Sequence, residues 1–452
     1  MDRIVLIIAL LLILLNTESR AQKTLLDFDK STYDLFLSKK WDALIEEGSQ
    51  SLEKGFDFYY LRIRMGIANY ENENYISAIP HFEKALEFIP KDSTAGEYLY
   101  YSNILLGRKS EAFLAADNLP NKFSRKNSSS KPEFFEGLYT EGGFVLNSSL
   151  NNSEKGRGLP MHTQGILEEH KQLKNYRYNN ISLIHRIGNR ISLFHGFGNI
   201  SINNSMQFSS LLDGSKEYDV KTNQWDYYFS ADVNAGSGIG FTGFLHYLNV
   251  NVEDVKFSAD SSTGFPIAIY TKSNTKYNEL LGGLGINYSA SYFQLSNTIS
   301  ASNFNSANQI QNTFRVIYYP LGNLNLYVLG DLTGHFQKEK GEKKYKGRFL
   351  WAGKVGFKLS DDLWAEAFYT GGEIENYIEE NGYIVYNNFN IIKRKLGFNL
   401  ILPVSPYVEL SLRYQNYEQE SYKLIYSDTQ NYTTNLIKNI NHSIIGGIKW
   451  TF

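Results

Sequence analysis

The chain has 452 residues, with 45 Lys plus Arg against 47 Asp plus Glu, and it contains no cysteine. The balanced charge gives no argument for a nucleic-acid or other polyanionic partner, and the absence of cysteine excludes disulfides and thiolate metal sites. An aromatic content of 15% with 20% charged residues is typical of outer-membrane strands, in which lipid-facing and lumen-facing residues alternate.

Residues 1–21 predict a secretory signal peptide. Arg3 is followed by an apolar run from Ile4 to Leu15, which is too short to span a bilayer as a helix. The small residues Ser19 and Ala21 stand at the −3 and −1 positions of a cleavage after Ala21. We therefore expect the mature chain to leave the cytoplasm. Beyond this segment no stretch of about eighteen apolar residues follows, which argues against a helical membrane protein.

Residues 22–120 predict a small all-α domain, whose most informative segment is YYLRIRMGIANYENENYISAIPHFEKALEFIP. With Tyr59 as the first residue of a repeat unit, Gly66 and Ala78 stand where two antiparallel helices pack closely, and Pro90 ends the unit. This segment resembles a tetratricopeptide (TPR) repeat, with weaker units before and after it. An unrelated helical hairpin bundle is the alternative.

The resemblance implies a groove for a protein partner on the concave face of the repeats. Carried onto this chain, the family's groove positions are Tyr60, Ile63, Ile67, Tyr70, Glu97 and Tyr101. Their apolar and aromatic character favours a peptide over a highly charged polymer. The alternative is that one or two of these side chains only pack within the helical domain.

Residues 121–132 are Ser-rich and basic and predict a linker, whereas residues 133–452 predict an all-β transmembrane antiparallel barrel. In NLNLYVLGDLTGHF, for example, Val328 and Leu332 alternate with the polar Asp331. The alternating segments run about ten to eighteen residues, which is longer than the usual strands of globular sheets.

Six short turns and seven long or polar connections alternate along this region, which predicts about fourteen strands. The short turns fall at 188–190, 234–238, 289–291, 320–323, 360–361 and 403–406. The longer loops fall near 148–175, 204–221, 253–275, 303–308, 339–344, 378–382 and 422–433. Because both barrel ends then lie on the short-turn side, we expect an outer-membrane barrel of a Gram-negative cell with its helical domain in the periplasm.

The C-terminal segment IIGGIKWTF places Ile448, Trp450 and Phe452 on one strand face. It resembles the C-terminal signal by which outer-membrane barrels are recognised for assembly. The resemblance implies the barrel-assembly machinery as a partner during biogenesis, in addition to the lipid of the outer membrane.

Ionisable residues fall on the face opposite the apolar one and are expected to point into the lumen, where they pair or meet water. The candidate lumen residues are Asp226, Asp232, Arg315, Asp331, Lys354, Lys358, Glu366, Glu409 and Arg413. They form either an ion-pair network that fills the barrel or the lining of a pore. Arg394 breaks the pattern because alternation directs it at lipid, which a bulge or a position near the interface would explain.

Two groups of residues were considered for chemistry. His185 and His195 share one face and could bind a metal, but this face is apolar and lies near the short turns, so membrane-interface residues are the preferred interpretation. His442 and Ser443 are neighbours on a strand and therefore point to opposite faces, which prevents direct proton transfer between them. We expect no enzymatic activity, no metal and no cofactor.

Periplasmic tetratricopeptide units before an outer-membrane barrel resemble the exopolysaccharide export porins in architecture. Two functions follow from this organisation. The favoured one is docking of a protein partner by the helical domain in envelope assembly or secretion, with the barrel as anchor. The alternative is an export or diffusion channel for polysaccharide or small solutes, with the repeats recruiting cargo or partners.

Overall fold

The computed structural model describes residues 23–117, 119, 131–151, 167–260, 267–387, 390–427 and 431–452. The predicted signal peptide and most of the predicted linker lie outside these residues. Within the described ranges, no helix is long and apolar enough to cross a membrane.

Six α-helices precede the barrel in the described chain. They are α1 (Leu25–Leu37), α2 (Trp41–Glu53), α3 (Tyr59–Glu71), α4 (Tyr75–Phe88), α5 (Ser93–Leu105) and α6 (Lys109–Asp117). A capping box between Thr24 and Asp27 starts α1, because each side chain satisfies a backbone N–H that the first turn leaves free. The expectation of a small all-α domain ahead of the barrel is confirmed.

Helices α3 and α4 pack closely because one of them carries a glycine at the contact. A Cβ on Gly66 would lie 2.5 Å from the Phe82 ring, so a larger residue there would push the helices apart. Ala78, Phe82 and Ala85 are fully buried in the core between these helices and α5. The α3–α4 pair thus has the compact helix packing that the small residues predict.

Sixteen β-strands follow in the described chain. They are β1 (Phe135–Asn147), β2 (Leu167–Ile187), β3 (Ile191–Ser210), β4 (Gly214–Gly236), β5 (Ile239–Asp260), β6 (Ile267–Ala290), β7 (Phe293–Ser302), β8 (Asn308–Tyr318), β9 (Leu326–Lys338), β10 (Lys346–Ser360), β11 (Leu363–Ile374), β12 (Tyr377–Glu379), β13 (Ile384–Tyr386), β14 (Ile391–Ser405), β15 (Val408–Tyr426) and β16 (Tyr432–Thr451). Fourteen of them form one closed antiparallel barrel, in which β16 pairs with β1, whereas β12 and β13 form a separate two-stranded sheet. The predicted barrel of fourteen strands is confirmed.

Most connections are tight at one end of the barrel (the short-turn end) and longer at the other (the long-loop end). Two differ from the prediction: the β3–β4 connection at the long-loop end is only 211–213, and the β8–β9 connection at the short-turn end runs from 319 to 325. Several strands nevertheless run further than expected: β3 reaches Ser210 and β4 begins at Gly214, inside the region predicted as a loop at 204–221. Cross-strand pairs there, such as Ser205 and Asp219, are polar. The other face of the same segment keeps the buried apolar residues Met206, Phe208 and Val220, and the hydrogen-bonded ladder continues.

The outside of the barrel is apolar. Large hydrophobic side chains are exposed all around it, including Phe349 at 84% exposure, Leu284, Leu332, Phe197 and Trp351. A soluble protein rarely exposes so continuous an apolar surface, whereas a barrel that faces lipid requires one. This is the architecture of an outer-membrane β-barrel.

Arg394 lies on this outer surface and is not left unpaired. The pairing of β14 with β15 shifts register between Ile392 and Arg394, and the Arg394 Nε donates to Glu418 at 3.1 Å. Glu418 also pairs with Lys438 at 3.1 Å. The bulge and the ion pairs together explain the charged residue that interrupts the apolar face.

The chain end is fixed between the first barrel strand and the β14–β15 turn. The backbone N–H of Phe452 donates to the carbonyl of Glu136 at 3.1 Å, and that of Thr451 donates to the carbonyl of Tyr407 at 2.8 Å. Trp450 and Phe452 are exposed, and Ile448, opposite Thr140 and Leu410 in the sheet, is half-buried. A role of these three residues in assembly stays a prediction.

Candidate functional site: a hairpin inside the barrel lumen

The nine predicted lumen residues all occupy inward-facing positions of their strands. They fall close to one another in pairs: Arg315 lies opposite Asp331 and Lys354 contacts Glu366 at 3.5 Å. Asp232 accepts a hydrogen bond from Thr242. The remaining four are distributed along the lumen. Asp226 lies beside His246, and Lys358 lies beside Asp361 near a short turn. Glu409 lies opposite Lys449, and Arg413 is on β15.

A hairpin between β11 and β14 occupies the middle of the lumen. The sequence predicts a loop near 378–382 at the long-loop end; the connection found there is longer and folds back into the lumen. The connection runs from 375 to 390 and contains β12, a tip at 380–382, and β13. Glu380 and Asn381 at the tip adopt positive φ angles of 47° and 53°, which non-glycine residues rarely do. We call residues 376–387 the lumen hairpin.

The tip of the lumen hairpin is held by three parts of the barrel wall. The Tyr228 hydroxyl donates to the carbonyl of Asn381 at 3.1 Å, and the His246 Nδ1 donates to the carbonyl of Gly382 at 2.7 Å. Arg315 contacts Glu380 at 3.3 Å while it makes a two-pronged pair with Asp331 at 2.8 and 2.9 Å. These contacts tie the tip to β4, β5 and β8.

The two sides of the lumen hairpin also bind the wall. The Gln311 side chain donates to the carbonyl of Ile378 at 2.9 Å and accepts from its N–H at 3.2 Å, so it replaces a missing strand partner. On the opposite side, Lys395 donates to Glu379 at 2.5 Å and to the Tyr386 hydroxyl at 2.6 Å. Polar side-chain contacts therefore hold the hairpin across the lumen, and its two strands are not part of the barrel sheet.

Apolar contacts complete the anchorage. Ile378 lies in a buried cluster with Phe244, Leu248, Leu281 and Phe304. Tyr377 lies in a second cluster whose other buried members are Val145, Leu350, Ile374, Ile392 and Tyr417. The bulky inward residues Tyr228 and Phe244 thus narrow the lumen by packing against the hairpin.

The lumen hairpin separates two cavities. The short-turn-side cavity, of about 230 Å³, is lined by polar residues of the wall and by hairpin residues 377–381. The long-loop-side cavity, of about 250 Å³, is lined by hairpin residues 383–387 and by many tyrosines. Because each side of the hairpin faces a different cavity, the hairpin is the partition of the lumen.

The helical domain lies over the short-turn mouth of the barrel. Between the α5–α6 turn and the barrel lies a third cavity of about 420 Å³, which shares Asp232, Asn287 and Gln294 with the short-turn-side cavity. Arg108 and Glu111 line it from the helical side. Burial lowers the pKa of the Arg108 guanidinium, and the nearby Glu111 opposes that shift. This mouth cavity therefore adjoins the short-turn-side cavity of the lumen.

Two sets of contacts dock the helices on the barrel. Near α6, Arg186 of β2 pairs with Glu136 at 2.9 Å, donates to Ser110 at 2.8 Å and lies over the Phe113 ring. Near α4, the Tyr292 hydroxyl bonds to Asn74 and Ser77 at 2.8 and 2.7 Å. The two elements that the sequence predicts as separate domains thus share a specific interface.

The predicted partner groove is only partly exposed. Ile67 belongs to the buried core of the helical domain, and Ile63 and Tyr70 pack against that core. Burial raises the pKa of Tyr70 to about 12. The exposed members of the set are Tyr60 and Tyr101, while Glu97 is half-buried.

The histidines considered for metal binding face outward. His185 and His195 stack with their ring centroids 4.9 Å apart on the lipid-facing side, and His195 bonds to the Tyr227 hydroxyl at 2.6 Å. Across the described residues, no group of three His, Asp or Glu side chains could hold a metal ion. His442 likewise faces outward and bonds to the Tyr414 hydroxyl at 2.7 Å.

Comparison with known proteins gives only distant similarities. No family model and no curated protein matches the chain. The Pseudomonas putida toluene transporter TodX has 9% identity and a TM-score of 0.43, with 70% of this chain and 90% of TodX covered. A Pseudomonas aeruginosa FadL homologue has 9% identity and a TM-score of 0.42, with 80% and 95% covered. The Acinetobacter baumannii protein Omp33 has 6% identity and a TM-score of 0.32, with 71% and 99% covered.

At these identities and TM-scores the similarities carry no argument about function. Because no family model matches, the resemblances to tetratricopeptide repeats and to export porins stay predictions. The function proposed below rests on the lumen of this chain.

Proposed function

We propose that the protein is an outer-membrane channel for small solutes whose gate is the lumen hairpin. The observation that carries this proposal is the position of the hairpin between two lumen cavities, one of which shares lining residues with the mouth cavity under the helices. When the hairpin moves aside, the two lumen cavities join into one path. The small cavity volumes favour solutes smaller than a typical drug.

A filled, purely structural barrel is the competing interpretation. In such a barrel the inward side chains would pack against one another without cavities. Here the partition is instead made by one connection whose two short strands pair only with each other. A segment that lies outside the barrel sheet can move without breaking the barrel, which favours a gate over a seal.

Docking of a protein partner by the helical domain is the weaker proposal. Of the six groove residues, Ile67 is 8% exposed and lies in the core, so it is not available to a partner. Another face of the helices is used to contact the barrel through Asn74, Ser77 and Ser110. These contacts support a helical domain that covers the channel mouth.

Solute flux tests the channel proposal. We expect liposomes that contain the full chain to swell in small sugars faster than empty liposomes, with a rate that falls as the sugar grows. A variant without the lumen hairpin should swell faster still. Swelling no faster than that of empty liposomes, for both proteins, would show that the barrel is a structural anchor.

The orientation in the membrane is a separate part of the proposal, in which the short-turn end and the helices face the periplasm. Lys343, in an exposed connection at the long-loop end, and Asp361, in an exposed short turn, offer a matched pair. We expect Lys343→Cys to react with an impermeant maleimide on intact cells and Asp361→Cys to react only after lysis. Labelling of Asp361→Cys on intact cells, with Lys343→Cys labelled only after lysis, would show that the orientation is the reverse of the proposed one.

A further inference from the structure

The long-loop-side cavity contains several ionisable side chains, and nearly all of them have partners. Glu141 accepts hydrogen bonds from Tyr139 and Tyr178 at 2.5 Å each. Asp226 accepts from Gln224 and lies 3.4 Å from His246. These groups are satisfied within the wall and do not require a ligand.

The remaining charged residues of this cavity are also satisfied, with one exception. Glu279 accepts from the backbone of Asn305 at 2.7 Å and from Asn387 at 2.8 Å. Lys395 is bound to the hairpin as described above, and Lys171 pairs with Asp254 at 3.7 Å. Arg413 lines the cavity and interacts electrostatically with Glu141 and Glu380, but among the described residues no acceptor lies within hydrogen-bond or ion-pair distance of its guanidinium.

Arg413 is placed to meet a ligand in the cavity. Its strand neighbours across the sheet are Asn399 and Ile445, and none of its donors is used by either. A guanidinium carries five N–H donors in a planar fork, and this fork matches the two oxygens of a carboxylate. Arg413 is half-buried, and its donors stay open towards the cavity, so an anion that enters the cavity can accept from them.

The other residues that line the cavity indicate which kind of group the anion carries beside its charge. Six tyrosines line the cavity, from the wall and from the hairpin: Tyr176, Tyr178, Tyr277, Tyr383, Tyr386 and Tyr417. Aliphatic side chains fill the spaces between them, among them Val145, Ile200, Ile202, Val250 and Ile392. Such a surface suits an apolar or aromatic group of small size.

We propose that the long-loop-side cavity binds small carboxylates with an apolar or aromatic body, with Arg413 as the residue that binds the carboxylate. This inference rests on the proposed channel function, because it names the class of solute that enters the lumen. Inorganic anions share the charge but lack the apolar body that the tyrosine and aliphatic lining would contact.

The test is calorimetric titration of the full chain in detergent with three probes: benzoate, its neutral isostere benzamide, and acetate. We expect benzoate to bind about tenfold or more tighter than either of the others, because only benzoate combines the charge with the ring. Arg413→Gln should weaken benzoate binding by about tenfold or more and leave benzamide binding nearly unchanged. Arg413→Lys should give an intermediate loss, because it keeps the charge without the fork.

A matched control is Lys354→Gln, which removes a lumen cation that is paired with Glu366 and lies outside this cavity. It should leave benzoate binding unchanged. Equal binding of benzoate and benzamide, equal binding of acetate and benzoate, no binding of benzoate, or a benzoate affinity that survives both Arg413 variants would overturn the inference. If liposomes show solute flux but the chain does not prefer benzoate, the carboxylate site is wrong and the channel proposal stands. If benzoate binds but no solute flux is measured, the channel proposal is wrong.

Discussion

Replacing the lumen hairpin, residues 376–387, by a short Gly-Ser link is expected to convert a mostly closed barrel into a steadily conducting one. In planar bilayers, the current at a fixed voltage should rise severalfold over that of the wild-type chain. The reason is geometric: the hairpin is the partition between the two lumen cavities, so its removal joins them. The barrel should still form, because β12 and β13 pair only with each other.

Shortening a different connection at the same end is the control. The β9–β10 connection, residues 339–345, is exposed and borders neither lumen cavity. Its deletion should leave the current as it is in the wild-type chain. An equal rise in both variants would mean that the hairpin has no special part in closing the lumen.

The second large effect is expected at the interface between the helices and the barrel. Arg186→Ala should lower the free energy of unfolding of the helical domain by about 3 kcal/mol, the lower end of the range for breaking a buried ion pair. Among the described residues, the change leaves Glu136, which is 8% exposed, with Lys109 at 3.6 Å as its one remaining cation. It also removes the contacts of Arg186 with Ser110 and Phe113.

Urea unfolding in detergent, followed by the helical circular dichroism signal, measures this loss. Arg190→Ala is the matched control, because Arg190 is exposed in the neighbouring turn and its guanidinium donates to the carbonyl of Asn234 at 3.2 Å without contacting the helices in the described structure. Its effect should stay within about 1 kcal/mol. If both variants unfold at the same urea concentration as the wild type, the interface contributes nothing to the stability of the helices.

The barrel could be predicted from sequence because its signal is repeated in every strand. An inward polar residue and an outward apolar residue recur with a period of two, as for Asp331 beside Leu332, and the register of the pairing follows from that alternation. At the far ends of β3 and β4 only one face becomes polar, as at Ser205 opposite Asp219, whereas Met206, Phe208 and Val220 on the other face are buried in an apolar cluster. The polar face is the reason that the sequence predicts a loop there.

The lumen hairpin could not be placed from sequence. Its two strands have three residues each, too few for periodicity, although the Asn381-Gly382 pair between apolar residues is a known hairpin signal. That signal predicts a turn, but not whether the turn points into the lumen or away from the barrel. Direction is set by contacts with residues far away in the chain, such as Tyr228 and Gln311.

The exposure of the candidate partner groove could not be predicted from the sequence either. Repeat positions carried from a family identify which side chains share a helix face, but not which of them another part of the chain covers. Tyr292 and Tyr319 of the barrel pack against the core cluster that contains Ile67. Such contacts join residues that are more than 200 positions apart, so local spacing carries no information about them.

The most direct test of the central claim fixes the hairpin to the wall reversibly. Thr298 of β7 lies beside Asn381 at the tip, with their side-chain oxygens 3.3 Å apart, and the chain has no cysteine of its own. The double variant Thr298→Cys, Asn381→Cys can therefore form a single defined disulfide. We predict that its current in a planar bilayer is near zero when oxidised and rises on addition of a reductant, as the hairpin becomes free to move. The same current before and after reduction would contradict the claim that the hairpin gates the lumen.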